Sequence, residues 1–329
     1  MNKKRSILIV ILLAFVCFIA LFALQREEKP ILSNGDATQE AREIFDYISN
    51  LDGEFVLSGQ QESTRMGSCD YEIDYIFASS GKQPVIKGFD YMNDDFQGVN
   101  RRAEEWWNNG GIVTICWHCG SDFSGEWKDS MEDEVANWDV MLTEGTAEYN
   151  SMISGMDKAA KALLELKEKN IPVLWRPFHE FDGHWFWWSK GGADAFRQMW
   201  IIMYQRYTEY WKLDNLIWVL GFSDQGEKSR DWYPGDEYCD IIGADTYQLD
   251  IFTKLYRKMQ RITSKSKPVC LHECGANPTV DELEKTPWAW FMTWHTEYLT
   301  DNNSKEDLNK LYNSDIVITL DEFSLRKQR

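Results

Sequence analysis

The sequence is poor in positive charge: it has 35 lysines and arginines against 53 aspartates and glutamates, a formal net charge of −18 at pH 7. Phosphate-rich partners are bound through clustered basic side chains, so this balance argues against nucleic acid as a partner. The chain also lacks internal repeats and low-complexity tracts. Its 329 residues, 43% of them hydrophobic, can bury one large core. We therefore expect one folded domain. The sequence has no signature of an oligomer, so we expect a monomer.

Metal-site signatures are missing as well. Cys116 and Cys119 have C-x-x-C spacing, but no second such pair completes a zinc site. The first predicted strand, FVLSGQQ, has no histidine, whereas metal-dependent barrel hydrolases carry H-x-H there. We expect neither a metal nor a cofactor. Six cysteines lie beyond residue 30, so both disulfides and buried thiols stay open, and the spacing does not fix a pairing.

The N-terminus has the pattern of an export signal. Three basic residues, 3–5, precede an uninterrupted apolar run over 7–24, and polar residues follow it. The run is long enough to span a bilayer, so a cleaved signal peptide and an uncleaved membrane anchor both stay open. Cys17 also leaves lipoprotein acylation open. We expect residues 1–30 to be a signal or anchor with a linker, and residues 31–329 to be an exported catalytic domain that is secreted, periplasmic or anchored at the cell surface.

Apolar segments alternate with helical stretches beyond the N-terminus, which is typical of repeated β-α units. The eight predicted strands are EFVLSGQ near residue 54, PVIKGFDY near 84, IVTICWH near 112, PVLWRPFHE near 172, LIWVLGF near 216, DIIGADTY near 240, PVCLHEC near 268 and WAWFMTWH near 288. The predicted helices include 37–50, 71–80, 99–108, 150–170, 193–211 and 252–264. This order predicts an α/β fold, a single (β/α)8 TIM barrel.

Active sites of such barrels lie at the carboxyl ends of the strands, and polar residues stand out there. The residues at or just beyond strand ends are His118, His179, Glu180, Asp245, Tyr247, Glu273, Trp294 and His295. Two carboxylates at such a rim are the groups that cut glycosidic bonds, one as acid and one as nucleophile. Aromatic rings flank Glu180 and would raise its pKa, as an acid requires. Tyr247 or Arg176 could hold Glu273 ionised.

The segment around Glu180, WRPFHEFDGHWFWW, resembles the acid/base signature of glycoside hydrolase family 26, a clan A family dominated by endo-β-1,4-mannanases. Four further segments resemble that family's strand ends in the same order: ICWH at 115–118, GADTY at 243–247, LHECG at 271–275 and FMTWH at 291–295. The resemblance spans about residue 36 to the C-terminus. Phe181-Asp182 and Ser189 depart from the usual pattern, which puts fine subsite preference in doubt but not the reaction type.

The resemblance implies a role for each matching residue. Glu180 would be the acid/base, Glu273 the nucleophile, and Tyr247 the hydroxyl that positions the nucleophile. The residues that would line the subsites beside the scissile bond are His118, Arg176, His179, Trp185 and Trp294. The implied substrate is a β-mannan. A mannobiose-releasing enzyme, a β-1,3-1,4-glucanase, a β-1,3-xylanase and a non-catalytic glycan-binding protein remain as alternatives.

Overall fold

The computed structural model describes residues 30–51, 53–248 and 251–327, and within them the predicted barrel is confirmed. Its strands are β1 (Val56–Gln61), β2 (Ile86–Asp90), β3 (Ile112–Cys116), β4 (Val173–Trp175), β5 (Leu216–Ser223), β6 (Ile241–Thr246), β7 (Val269–Cys274) and β8 (Trp290–Thr293). Each pairs in parallel with its neighbours, and β8 pairs with β1 to close the barrel. All eight predicted strands are therefore present. A two-residue strand, β9 (Val317–Ile318), adds to the start of β1.

The helices surround this barrel. They are α1 (Gln39–Ser49), α2 (Tyr71–Ser80), α3 (Phe96–Asn108), α4 (Trp127–Glu132), α5 (Trp138–Met141), α6 (Ala147–Glu168), α7 (Gly192–Gln205), α8 (Phe252–Met259), α9 (Val280–Lys285), α10 (Glu297–Thr300), α11 (Lys305–Tyr312) and α12 (Leu320–Lys327). The predicted helix 193–211 divides into α7 and a π-helical turn, Arg206–Tyr210. No helix among these described residues is long and apolar enough to cross a membrane. The apolar run 7–24 lies outside the described residues.

The core has two layers. The larger one packs the outer faces of the strands against the surrounding helices. The smaller one fills the barrel at the amino ends of the strands, where Ile44, Phe45 and Ile48 of α1 pack against Leu57 and Ile241. Helix α1 thus closes the amino end of the barrel, and the opposite, carboxyl end is left for polar side chains.

The cysteines contribute to this core as free thiols. The six cysteines within the described residues are unpaired, and all except Cys69 are buried. Burial raises the pKa of the Cys116 and Cys119 thiols well above the ordinary value, so both stay protonated. The disulfide alternative is therefore wrong for these six residues, and the five buried thiols pack in the core.

The acidic segment 121–144, which lies between the predicted strand near residue 112 and the predicted helix 150–170, contains α4 and α5. Helix α4 begins with a capping box, in which Glu126 and Asp129 each accept from the other's backbone N–H. Lys190 then donates to the carbonyls of Met131 and Asp133 and fastens the segment to the loop after β4. This segment forms part of the rim at the carboxyl end of the barrel.

Candidate active site

A cleft of about 1570 Å³ opens at the carboxyl ends of the strands. Every strand of the barrel, or the loop that follows it, contributes to its wall: Gln61, Asp90, His118, Glu180, Asp224, Tyr247, Glu273 and Trp294. Of the eight residues to which the resemblance assigns roles, seven line the cleft, and the eighth, Arg176, is buried against Glu273. These residues come from strands far apart in the chain, and barrel closure makes them neighbours.

Glu180 lies in the tight segment that follows β4. Its backbone adopts a left-handed conformation, with φ of 54°, which is uncommon outside glycine and is held here by a 2.7 Å bond from its N–H to the Gly221 carbonyl. The indole Nε1 of Trp185 donates to Glu180 Oε2 at 2.8 Å. Burial, and then the neighbouring Glu273 carboxylate, raise the pKa of Glu180 well above its ordinary value. Such a carboxyl holds its proton and can serve as an acid.

Glu273 is buried in β7 and has two donors, one on each oxygen. Arg176 Nη1 lies 3.3 Å from Oε2, and the Tyr247 hydroxyl donates to Oε1. Burial raises the pKa of Glu273, whereas the Arg176 charge and the Tyr247 hydrogen bond lower it. The pKa of Glu273 is raised overall, because the effect of burial outweighs that of the two donors. This differs from the expectation that Arg176 or Tyr247 holds Glu273 ionised. The rise is larger at Glu180, which has no positive neighbour of this kind, so the pair favours a proton on Glu180 and a charge on Glu273.

A buried chain of hydrogen bonds orients Arg176 from below. Its Nη2 donates to Gln61 Oε1 at 2.6 Å, and its Nη1 lies 3.3 Å from His272 Nε2. Burial lowers the pKa of His272 well below its ordinary value, so the ring is neutral. Since Arg176 can only donate, Nε2 of His272 accepts, and Nδ1 carries the proton that is donated to Asp245 Oδ1. The Asp245 to Arg176 chain therefore fixes the guanidinium against Glu273.

Two further histidines pack beside the carboxylates. Asp90 accepts from the His118 backbone N–H at 3.0 Å, and its other oxygen lies 2.6 Å from His118 Nδ1. The His118 ring meets the His179 ring edge-on at 4.7 Å and the Trp294 ring at 6.1 Å. His179 Nε2 lies 3.9 Å from Glu273 Oε2, and burial lowers the pKa of His179 well below its ordinary value. The wall beside Glu273 therefore contains a neutral His179 ring that packs against His118, and Asp90 orients His118.

Of the tryptophans that flank Glu180 in the sequence, Trp185 is the one that hydrogen-bonds its carboxyl among the described residues. Trp185 is half-buried and lines the cleft, whereas Trp175, Trp187 and Trp188 are fully buried in the core. The indoles of Trp187 and Trp188 donate to the carbonyls of Cys119 and His179. Their effect on the site is to shape the segment that carries Glu180.

The sequence reasoning did not single out Trp127 or Asp224, both of which line the cleft. Trp127 begins α4 and is 49% exposed, a large fraction for an indole. Its exposure depends on how the segment folds, so the sequence alone carries no signal that identifies it. His295, which the sequence placed at the rim, also lines the cleft, and burial lowers its pKa to about 4.

Metal-ligating atoms come within 4.8 Å of one another in two groups of described residues. The groups are Asp90, Cys116, His118 and His179, Asp245, Glu273. In the first group the raised pKa of Cys116 keeps a proton on its thiol. In the second group Arg176 already pairs with Glu273, and its fixed charge disfavours a cation at the same carboxylate. These contacts favour carboxylate chemistry, and the absence of a metal stays a prediction.

Comparison with known proteins identifies what this cleft resembles. The model of glycosyl hydrolase family 26 matches residues 33–322. A mannan endo-1,4-β-mannosidase from Thermothelomyces thermophilus is 31% identical over 316 residues, covering 88% of this chain and 63% of that protein. This chain thus spans less than two thirds of that relative's length.

Solved structures agree with this comparison. A ruminal GH26 endo-β-1,4-mannanase superposes with a TM-score of 0.83 at 30% identity, and the match covers 91% of this chain and 71% of that one. The GH26A protein from Muricauda sp. gives a TM-score of 0.82 at 34% identity, with coverage of 88% and 99%. The likeness therefore extends over about nine tenths of this chain.

Proposed function

The chain belongs to glycosyl hydrolase family 26, and from that premise we propose that it is a retaining endo-β-1,4-mannanase that acts on mannan, galactomannan or glucomannan. One observation carries the proposal. Glu180 and Glu273 line the same cleft, and their surroundings favour the proton on the first and the charge on the second. That division of roles is what glycoside hydrolysis by two carboxylates requires, and the retaining course is proposed from the family.

In this mechanism Glu273 attacks the anomeric carbon, and a glycosyl ester forms on its carboxylate. Glu180 protonates the leaving glycosidic oxygen in the same step. Glu180, now ionised, then takes a proton from water, which attacks the ester from the face that the leaving group vacated. Two inversions give net retention. Arg176 and Tyr247 stabilise Glu273 as a carboxylate before attack and after its release.

Aromatic rings along the cleft supply the surfaces on which sugar rings can stack. Trp185, Trp294 and the exposed Trp127 line it at separate points, and indole faces pack well against the apolar C–H faces of sugars. Acidic and neutral polar groups between them match hydroxyl donors. A cleft of about 1570 Å³ has room for several sugar units, which favours attack within a chain over release of mannobiose from its end.

The location of the protein is proposed from the sequence alone. We propose that it is exported, that the run 7–24 is a cleaved signal or a membrane anchor, and that 31–329 form the catalytic domain, active as a monomer. Release of the protein into the medium, compared with retention in the membrane fraction, distinguishes signal from anchor.

The test is incubation of the purified protein with linear mannan, galactomannan, lichenan and β-1,3-xylan, following new reducing ends and product sizes. We expect hydrolysis of the mannans with a ladder of oligosaccharides. Mannobiose as the sole early product would replace internal attack with terminal release. Activity on lichenan or xylan alone would keep the mechanism and change the substrate. Binding without hydrolysis would leave a glycan-binding protein.

A further inference from the structure

Glu72 is a buried carboxylate that takes no part in the chemistry above. It is the second residue of α2, its side chain is 1% exposed, and it does not line the cleft. A buried charge of this kind requires strong hydrogen bonds to offset its lost hydration. Glu72 obtains them from two backbone N–H groups: Oε1 accepts from Thr296 at 2.8 Å, and Oε2 accepts from Ser63 at 3.2 Å.

The two donors belong to different loops of the active-site rim. Ser63 lies in the loop after β1. Thr296 lies in the loop after β8, directly after Trp294 and His295. Ser63 itself lines the cleft, and so does His295, the residue before Thr296. Because the strands β1 and β8 close the barrel against each other, one carboxylate placed behind them ties both loops together. The carboxylate lies at the first turn of α2, where the helix dipole favours negative charge.

Thr296 adopts a backbone conformation that needs this support. Its φ is 57° and its ψ is −121°, a region that a β-branched residue rarely adopts. The turn directs the Thr296 N–H towards Glu72 and places its hydroxyl 2.9 Å from His295 Nδ1. Such conformations persist only when their surroundings hold them. Glu72 is the side chain that accepts from this N–H.

Trp294, two residues before Thr296, is held from the barrel side through its backbone. Its N–H donates to the Cys274 carbonyl at 2.8 Å, and its carbonyl accepts from Gln60 Nε2 at 3.2 Å. These bonds fix where the Trp294 main chain leaves β8. The direction in which the chain then turns, and with it the wall formed by Trp294 and His295, depends on Thr296.

We propose that Glu72 is a positioning residue, whose two oxygens fasten the loops after β1 and β8 and so hold Trp294 and His295 at the orientation that binds sugar. The inference rests on the proposed function for the ligand, a β-mannan chain, but the bridge itself is a property of the fold. Weakening the bridge should loosen substrate binding more than it slows bond cleavage, because Glu180 and Glu273 stand on other strands.

The main test is Glu72→Gln, which keeps the shape but turns one acceptor into a donor that faces an N–H group. Glu72→Asp retains the charge, yet it is one methylene too short to reach both loops, and it serves if the first variant fails to fold. We expect KM for mannohexaose to rise about tenfold, which corresponds to about 1.4 kcal/mol of binding, with kcat changed by less than about twofold. An unchanged KM in a folded variant would overturn the inference.

Asp240 provides a matched control. It is also a buried carboxylate that accepts from two backbone N–H groups, of Ser33 and Trp218, but it precedes β6 at the amino end of the barrel. Asp240→Asn should lower the melting temperature and leave KM unchanged. If Glu72→Gln behaves in the same way as Asp240→Asn, then Glu72 is structural only.

Two further measurements separate this inference from the proposed activity. Hydrogen exchange of the segment 294–297 should accelerate in Glu72→Gln and not in Asp240→Asn, whatever the substrate is, and equal exchange rates in all three proteins would contradict the bridge. Thr296→Gly in the Glu72→Gln background removes the unfavourable φ and should restore part of the lost affinity. If the wild-type protein is inactive on every polysaccharide, the proposed function is wrong. The hydrogen-exchange result still tests whether Glu72 holds the two loops.

Discussion

The indole of Trp185 folds back over the turn that follows Glu180 and donates a 2.8 Å hydrogen bond to its Oε2. The turn permits this because a side chain at Gly183 would lie 2.1 Å from the Trp185 ring. Among the strongest influences on the pKa of Glu180, burial and three neighbouring carboxylates raise it, and the Trp185 bond lowers it. The indole therefore limits how tightly the acid holds its proton.

Trp185→Phe should move the alkaline limb of the kcat/KM profile to higher pH. Glu180 must be protonated for the first step, so activity is lost as pH rises through its pKa, and removing the donor raises that pKa further. The measurement is the pH profile on mannohexaose, in which the position of the limb, and not the overall rate, carries the result. A limb that stays in place would show that the indole does not act on Glu180.

Tyr247→Phe should move the opposite limb. The Tyr247 hydroxyl lowers the pKa of Glu273, which must be ionised to attack, so activity is lost as pH falls through that pKa. Without the hydroxyl the acidic limb moves to higher pH, and kcat at neutral pH falls by about 10²-fold, as for loss of one well-placed donor. The phenylalanine ring retains the packing against Tyr298. A shift of the alkaline limb alone would contradict the assignment of Tyr247 to Glu273.

Glu180→Ala should discriminate between substrates by their leaving groups. Loss of the acid should slow mannan hydrolysis by about 10²- to 10⁴-fold, whereas a dinitrophenyl mannoside, which needs no protonation, should form the glycosyl ester at nearly the original rate. The comparison is made on kcat/KM and on the initial burst of dinitrophenolate, because hydrolysis of the ester, for which Glu180 is the base, limits kcat in the variant. An equal loss on both would mean that Glu180 serves binding or folding and not proton transfer.

The sequence predicts the barrel well because parallel strands buried on both faces are continuous apolar runs, as β5 and β6 are. It also predicts the rim residues, since strand ends are fixed once the strands are. It does not predict the left-handed backbone of Glu180 or the turn at Thr296, because both depend on partners more than 40 positions away, the Gly221 carbonyl and Glu72. The same holds for His272, whose ring occupies space left by Gly221 and Gly243.

The sequence pattern also does not predict the two helices in the segment 121–144, for a different reason. Helices α4 and α5 have six and four residues, too short to show a hydrophobic period. They are stabilised by capping at Glu126 and Asn137 and by packing on the loop after β4. The exposed Trp127 could therefore not be assigned to the cleft from the sequence.

Trp127→Ala should weaken the binding of long substrates selectively. Its exposed indole lies at the rim, so we expect KM for mannohexaose to rise about 5- to 10-fold, as for loss of one stacking contact, with KM for mannotriose unchanged. Tyr210→Ala is the control, because Tyr210 is also a largely exposed aromatic residue, outside the cleft and packed on Arg206. No change in either KM would place Trp127 outside the binding surface, and an equal rise in both would place it beside the scissile bond.

Exhaustive chelation should leave activity intact. The pairing of Arg176 with Glu273 and the protonated Cys116 thiol argue that neither three-residue group holds an essential ion. The assay is mannan hydrolysis after prolonged dialysis against EDTA, with and without added Zn²⁺, Mg²⁺ or Ca²⁺. Loss of activity that one of these ions restores would require a metal at the site.

Trapping of the glycosyl ester tests the central claim most directly. A fluorinated β-mannosyl fluoride, which forms the ester quickly and hydrolyses slowly, is incubated with the protein, and the labelled peptide is identified by mass spectrometry. The account predicts one added sugar on the peptide that contains Glu273, and no label in Glu273→Gln. Label on another residue would contradict the assignment of the nucleophile, and inversion of the anomeric configuration with no label would contradict double displacement.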